Sequence, residues 1–219
     1  MPPPRSRPTE TGSSRPNPAY LPPCPSETDV REAGIVLKPE ENPPFSWPPE
    51  VALSQFSGAW WVAHTRSRNE KALAWHLQTK NVQYFLPMTW KVSKSHGRTF
   101  RSLLPLFTGY MFFCGNENDR IEALKSNRVA NLIAVNDPVR LIRELTPIDI
   151  LIRQGTILLP HKYLKEGQRV RVIAGPLLGT EGIILHEPEK LRLVLQVDIL
   201  GQATSVEIDA DFVEPIDPA

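Results

Sequence analysis

The sequence predicts an α+β domain, an antiparallel sheet flanked by helices, preceded by a proline-rich tail and followed by a small β-barrel. Three observations carry this. Fourteen of the 23 prolines fall within residues 1–50. From Trp60 onward, strand-like apolar runs alternate with stretches of helical spacing. From Gln168 to Pro215, short apolar runs recur between turns without a helical period.

The first segment, residues 1–50, mixes proline with Ser, Thr and Glu and holds few residues able to build a core. It is expected to be disordered or polyproline-like, either a solvated tail or a docking site for a proline-binding module. Phe45, Ser46 and Trp47 before Pro48-Pro49 are the exception, a cluster suited to packing on the next domain.

That domain is expected over residues 58–153. Trp60 to Thr65 reads as a strand, and Asn69 to Thr79 as a helix with Leu73 and Leu77 at i,i+4 and Ala74 beside them. "VQYFLPMTWKV" predicts a strand, "SKSHGR" a turn at Gly97, and "LPLFTGYMFFC" a strand rich in aromatics. A helix over Asn118–Ser126, the strand "VANLIAV" and a helix "TPIDILIRQ", opened by Thr146 with Pro147 at its first position, complete it. Helices then cover an antiparallel sheet.

Residues 154–164 read as a linker. Residues 165–216, with "RVRVIAG", "EGIILHE", "LRLVLQVDIL" and "ATSVEIDADFV", predict a five-stranded barrel of the SH3-like sort, which avoids a long open edge.

Charge is unevenly distributed. Counting Lys and Arg against Asp and Glu, residues 1–50 carry 5 and 7, residues 60–150 carry 13 and 7, and residues 165–219 carry 5 and 10. Nucleic-acid contact therefore belongs to the middle segment, since phosphate neutralisation needs Lys and Arg. Between Lys71 and Gly115 there is no acidic residue, while Lys80, Lys91, Lys94, Arg98 and Arg101 are present. "KVSKSHGRTFR" reads as a cationic finger able to neutralise phosphates without reading bases, and Arg66 and Arg68 could extend it. The alternative is a solvated face.

Other chemistries find little support. "VIAGPLLGTEGII" lacks the Lys-Ser/Thr pair of a P-loop and the spacing of a dinucleotide fingerprint, and Glu181 would repel a phosphate. No carboxylate pair, activated nucleophile or ligand-spaced His/Cys set is visible, so no catalytic residue, metal or cofactor is expected and the protein reads as a non-enzyme. No apolar run approaches the ~20 residues of a membrane span, and the N-terminus lacks a signal peptide's apolar core, so a cytoplasmic protein without membrane contact is expected. Cys114, inside an apolar run, reads as a buried small hydrophobe.

The pair Trp60-Trp61 opening a strand before a basic helix, "LPLFTGYMFF" some forty-five residues later, and "RVRVIAGPLLGTEGIIL" followed by "ILGQATSVEID" together resemble the NusG family of transcription elongation factors. The likeness runs from about Trp60 to Pro215. It implies an NGN domain followed by a KOW domain, and "NVQYFLPMTWKVSKSHGRTFRSLLPLFTGYMFF" is similar to specialised RfaH-like paralogs.

The resemblance implies that the NGN domain binds the clamp helices of the largest RNA polymerase subunit through Phe107, Tyr110 and Phe112. Strand alternation puts Tyr110 and Phe112 on one face, and the alternative is that both rings are ordinary core. Arg66 and Arg68 fall where RfaH-like proteins place DNA-contacting residues. With Lys91, Lys94, Arg98 and Arg101 they are the expected contacts to upstream or non-template DNA. The KOW domain is expected to meet a second protein, ribosomal protein NusE or Rho, near Leu177, Leu178 and Leu200.

Two departures stand out. Leu200 replaces the aromatic that typical members carry before Gly201, and "RIEALKSNRV" has no counterpart of RfaH's threonine-rich polymerase contact. A helical hairpin form of the KOW region is not expected, because "LRLVLQVDI" and "ATSVEID" alternate and are rich in β-branched residues. A ribosome-associated, RNA-binding KOW protein is the alternative function, and the net −5 of the barrel segment argues against it.

Overall fold

The computed structural model describes residues 33–35, 42–95, 98–162, 167–187 and 190–216. In chain order these hold β1 (Ala33–Ile35), β2 (Ser46–Trp47), β3 (Ala59–Thr65), α1 (Glu70–Thr79), β4 (Gln83–Phe85), β5 (Met88–Ser95), β6 (Arg98–Pro105), β7 (Tyr110–Gly115), α2 (Glu117–Lys125), β8 (Val129–Ala134) and α3 (Pro138–Arg153). Then follow β9 (Leu159–Lys162), β10 (Gln168–Val172), β11 (Glu181–Glu187), β12 (Lys190–Val197), β13 (Gln202–Glu207) and β14 (Val213–Pro215). No helix among the described residues is long and apolar enough to cross a membrane.

The first main sheet runs β2-β4-β7-β3-β8 and is antiparallel throughout. Trp60, Trp61, Val62 and Ala63 are all buried, as are Met111 to Cys114 on β7, so both faces of the central strands are covered. Trp61 stacks on Phe113 at 5.2 Å and Trp60 on Phe56 at 5.6 Å. The predicted sheet with covering helices is therefore observed, with three differences of detail.

First, Pro87 splits the expected "VQYFLPMTWKV" strand into β4 and β5, because proline has no N–H to give a central ladder. The β5–β6 hairpin leaves the main sheet and forms a separate ribbon in the order β1-β6-β5. Second, Gly109 (φ +83°) ends the run that read as one strand, and β7 starts only at Tyr110.

Third, the last helix starts at Pro138, well before Thr146. Asp137 caps it by accepting the Arg140 N–H at 2.9 Å, and Pro147 lies inside it. A mid-helix proline costs about 3 kcal/mol and removes one donor. Here the apolar face of Leu141, Leu145, Ile148, Leu151 and Ile152 runs past it and buries all five side chains, outweighing that cost. The Thr146 hydroxyl donates to the Ile142 carbonyl at 2.7 Å beside the break.

The proline-rich segment is also part of the fold over residues 42–50, where disorder was expected. Phe45 is buried and its carbonyl accepts the Leu86 N–H at 2.6 Å. Arg153 binds Asp149 with Nε at 2.8 and 2.9 Å and donates to the Pro49 carbonyl at 2.8 Å, clamping this segment to α3. The expected packing of Phe45, Ser46 and Trp47 is thus observed. Upstream, β1 pairs in parallel with β6.

The second main sheet is antiparallel in the order β14-β10-β11-β12-β13-β9. It has six strands where five were expected, because β9 comes from the expected linker and pairs with β13 from Gln202↔Lys162 to Ser205↔Leu159. The order is open, with β14 and β9 at its two ends and no strand pairing closing it among the described residues. The region is β-structured, as its alternation predicts. Gly182 is required where β11 crosses β12, since a Cβ there would sit 2.8 Å from the Val194 carbonyl oxygen.

This sheet packs on α3. Arg140 pairs with Asp198, and the Asp198 N–H donates to Oε2 of Glu144 at 3.1 Å. Thr89 donates to the Leu158 carbonyl at 2.7 Å and Thr204 to that of Leu159 at 3.0 Å, so the start of β9 touches both halves.

Candidate protein and nucleic-acid interface

At the end of β3, alternation turns His64 to the face shared by Trp60 and Val62. Pairing with β7 sets it opposite Tyr110. The two rings stack at 4.9 Å with an interplanar angle of 24°; His64 is exposed and Tyr110 half-buried. Beyond Thr65 the chain turns through exposed Arg66 and Arg68 into α1, with Arg68 at φ +59°. The turn is pinned: the Arg66 N–H donates to the Arg128 carbonyl at 2.8 Å, and the Arg128 guanidinium to Oδ1 of Asn69 at 3.1 Å.

Beneath this corner lies a buried carboxylate. Glu70, 4% exposed, accepts the Gly109 N–H at 2.7 Å, and the Gly109 carbonyl accepts the Thr65 N–H at 2.8 Å. A Cβ at Gly109 would sit 3.6 Å from the His64 ring. The loop before Tyr110 is therefore held directly against β3, and the ring pair inherits its position from backbone contacts.

Phe107 and Phe112 stand elsewhere. They are 1% and 0% exposed, packed edge to face at 6.3 Å, with Phe112 also against Phe85. This corrects the expectation that they form a contact surface with Tyr110, because fully buried rings present nothing to a partner. Tyr110 alone of the three reaches solvent, and its companion is His64, which sequence reasoning missed. Alternation puts His64 on a face, but only the β3–β7 register brings it to Tyr110.

The cationic finger is the β5–β6 ribbon, paired from Met88↔Pro105 to Ser95↔Arg98. Lys91 is exposed and Arg101 half-buried. Lys94 and Arg98 belong to the same ribbon, at the backbone pairs Lys94↔Thr99 and Ser95↔Arg98. The tip, His96-Gly97, lies outside the described residues.

In the second sheet, Leu177 is 4% exposed and belongs to the core, which removes it from the expected docking surface. Leu178 is 69% exposed, and Leu200 packs half-buried beside the Asp198 contact to α3.

Burial sets the titration of several groups. It raises the carboxyl of Glu144 against the opposing pull of Arg140, and that of Asp149 against Arg153. Burial, helped by Asp119, pushes the Cys114 thiol up to about 11, and burial lowers the Lys71 ammonium. Among the described residues, no three or more His, Cys, Asp or Glu side chains are grouped to hold a metal ion.

Residues 58–148 match the sequence model of the family described as transcription termination factor NusG. The chain is also similar to a solved structure titled "Domain interaction in Thermotoga maritima NusG", at 22% identity and a TM-score of 0.41, over 73% of this chain and 97% of that one. The matched residues 58–148 hold the ring pair, the arginine turn and the cationic ribbon, so it is this segment of the chain that is similar to the NusG family.

Proposed function

We propose that this protein is a cytoplasmic, non-enzymatic regulator of transcription elongation or antitermination that rides on RNA polymerase. The observation that carries the reading is the exposed His64–Tyr110 stack, positioned by Glu70 and Gly109 within the NusG-matching segment. An aromatic pair on a rigid sheet end suits the tip of a helical hairpin, here the clamp helices of the largest polymerase subunit. Arg66 and Arg68 flank it, and with Lys91, Lys94, Arg98 and Arg101 they are the proposed contacts to upstream or non-template DNA phosphates. The second sheet is read as a KOW domain of the SH3-like kind that recruits ribosomal protein NusE or Rho, with Leu178 and Leu200 as contacts. The likeness to RfaH-like paralogs belongs to the same reading.

Retention of the full chain on purified core polymerase tests it. Tyr110→Ala and His64→Ala should each reduce retention while the far-UV circular dichroism stays that of wild type. Retention equal to wild type in both would remove the clamp assignment. An Arg66→Glu/Arg68→Glu variant should still bind polymerase yet lose its effect on pausing, more visibly at low salt.

A further inference from the structure

A second surface lies far along the chain from the ring pair. Phe212 and Ile173 are 39% and 45% exposed and are joined by a 2.8 Å hydrogen bond from the Ile173 N–H to the Phe212 carbonyl. Beside them opens a cleft of about 260 Å³, walled by Ala174, Pro176, Leu177 and Ile208, with Leu151 of α3 on its far side. This volume lies below the ~300–1,000 Å³ of small-molecule sites, so the cleft suits one or two apolar side chains of a larger partner.

The rim decides the partner's charge. Glu207 and Asp209 line the cleft and, with Asp211 beside Phe212, all three are exposed. No Lys or Arg is among the residues lining the cleft, and because Glu207 has a partner of its own, Asp209 and Asp211 set the charge of the rim. Nucleic acid and acidic peptides are repelled by such a rim. A Lys or Arg finds carboxylates there and the Phe212 ring within reach of a cation–π contact.

We infer that this cleft docks a cationic, apolar-anchored segment of a partner protein: one aliphatic side chain enters between Leu177 and Ile208 while neighbouring Arg or Lys side chains engage Asp209, Asp211 and the Phe212 ring. The inference rests on the reading that the C-terminal region recruits a second protein, and it moves that contact from Leu178 and Leu200 to the cleft beside Phe212. Leu177 is floor, and the turn bearing Leu200 is held to α3 through Asp198.

The test is a titration of the full-length, ¹⁵N-labelled protein with a synthetic peptide of alternating Leu and Arg, and with its Leu-Glu counterpart, at about physiological salt. The Leu-Arg peptide should shift the amides of Ile173, Ala174, Asp209 and Phe212 saturably, and the Leu-Glu peptide should leave them unmoved. Phe212→Ala should weaken binding by ~10-fold or more, as loss of an interface anchor does. Asp209→Asn/Asp211→Asn, which leaves the apolar cleft intact, should also weaken it. Shifts scattered over the acidic surface and indifferent to Phe212→Ala, equal binding of the Leu-Glu peptide, or the same shifts with a single-stranded RNA would each overturn the inference. Concentration-dependent self-association that fills the cleft would do so too.

Both variants should still be retained by polymerase. Peptide binding indifferent to Phe212 beside Tyr110-dependent polymerase retention would sink this inference alone. Docking at Phe212 without polymerase retention would sink only the clamp assignment.

Discussion

Oε1 of Glu70 accepts the main-chain N–H of Gly109 at 2.7 Å, joining the first turn of α1 to the loop that delivers Tyr110. With the carboxylate 4% exposed, this bond replaces water on both partners. It is the reason an exposed ring pair has a defined position.

Glu70→Ala should therefore lower stability by roughly 1–3 kcal/mol, the cost of leaving a buried donor unpaired, and weaken polymerase retention although residue 70 is itself buried. Gly109→Ala should strain a φ of +83° and place the new methyl in ordinary contact with the His64 ring. Urea unfolding measures the first effect. A changed His64 ring environment by NMR in Gly109→Ala, with the rest of the spectrum preserved, measures the second.

Tyr110→Ala and Phe112→Ala should separate binding from folding. Phe112 is wholly buried, and its truncation should cost about 3–5 kcal/mol. Tyr110 is half-buried and should cost much less. Equal unfolding midpoints for the two variants would contradict the placement of Phe112 in the core.

Cys114 should be inert in the folded protein. It is 0% exposed with its thiol pushed up to about 11, so at pH 8 only about one molecule in a thousand is thiolate. In a Cys24→Ser background, a thiol reagent at pH 8 should leave Cys114 unmodified for hours and label it quickly in urea. Rapid labelling without denaturant would show that the β3–β7 pairing around it opens readily.

Glu144 carries a pH signature. Its folded pKa is raised by burial, so the folded state holds the proton more tightly than the unfolded chain. Stability then falls as pH rises from the ordinary carboxylate pKa through the raised folded value, and acidification across that window returns it. Glu144→Gln should remove this contribution and shift the slope of melting temperature against pH, between neutrality and about pH 4, toward positive values. An unchanged slope would mean that Glu144 is not the group responsible.

Much of the fold was legible because burial follows periodicity. Trp60 to Thr65 reads as a strand and is one, buried on both faces from Trp60 to Ala63; Leu73 and Leu77 share a helix face and are both fully buried. The extent of α3 was not legible, because Pro147 after Thr146 imitates a helix start while the genuine cap, Asp137 with Pro138, stands nine residues earlier. Residues 154–164 looked like a linker, since the strand character of Leu159–Lys162 depends on pairing with the distant β13, from Gln202↔Lys162 to Ser205↔Leu159.

The candidate site divides the same way. By itself the sequence determined the residue types and their local period: a tryptophan pair opening a strand, a stretch without acidic residues, an acidic C-terminal third. These depend on neighbours within a few positions, which is where steric and charge rules act. Which aromatic reaches solvent was decided by tertiary packing: Phe112 and Tyr110 share a face of β7, yet Phe112 is enclosed with Phe85 and Phe107 while the half-buried Tyr110 stacks on the exposed His64. The separation of Leu177 from Leu178, and the exposure of Phe212 beside Ile173, are likewise tertiary facts. Burial belongs to the assembled surface, and identical local patterns place one side chain in the core and its neighbour in water.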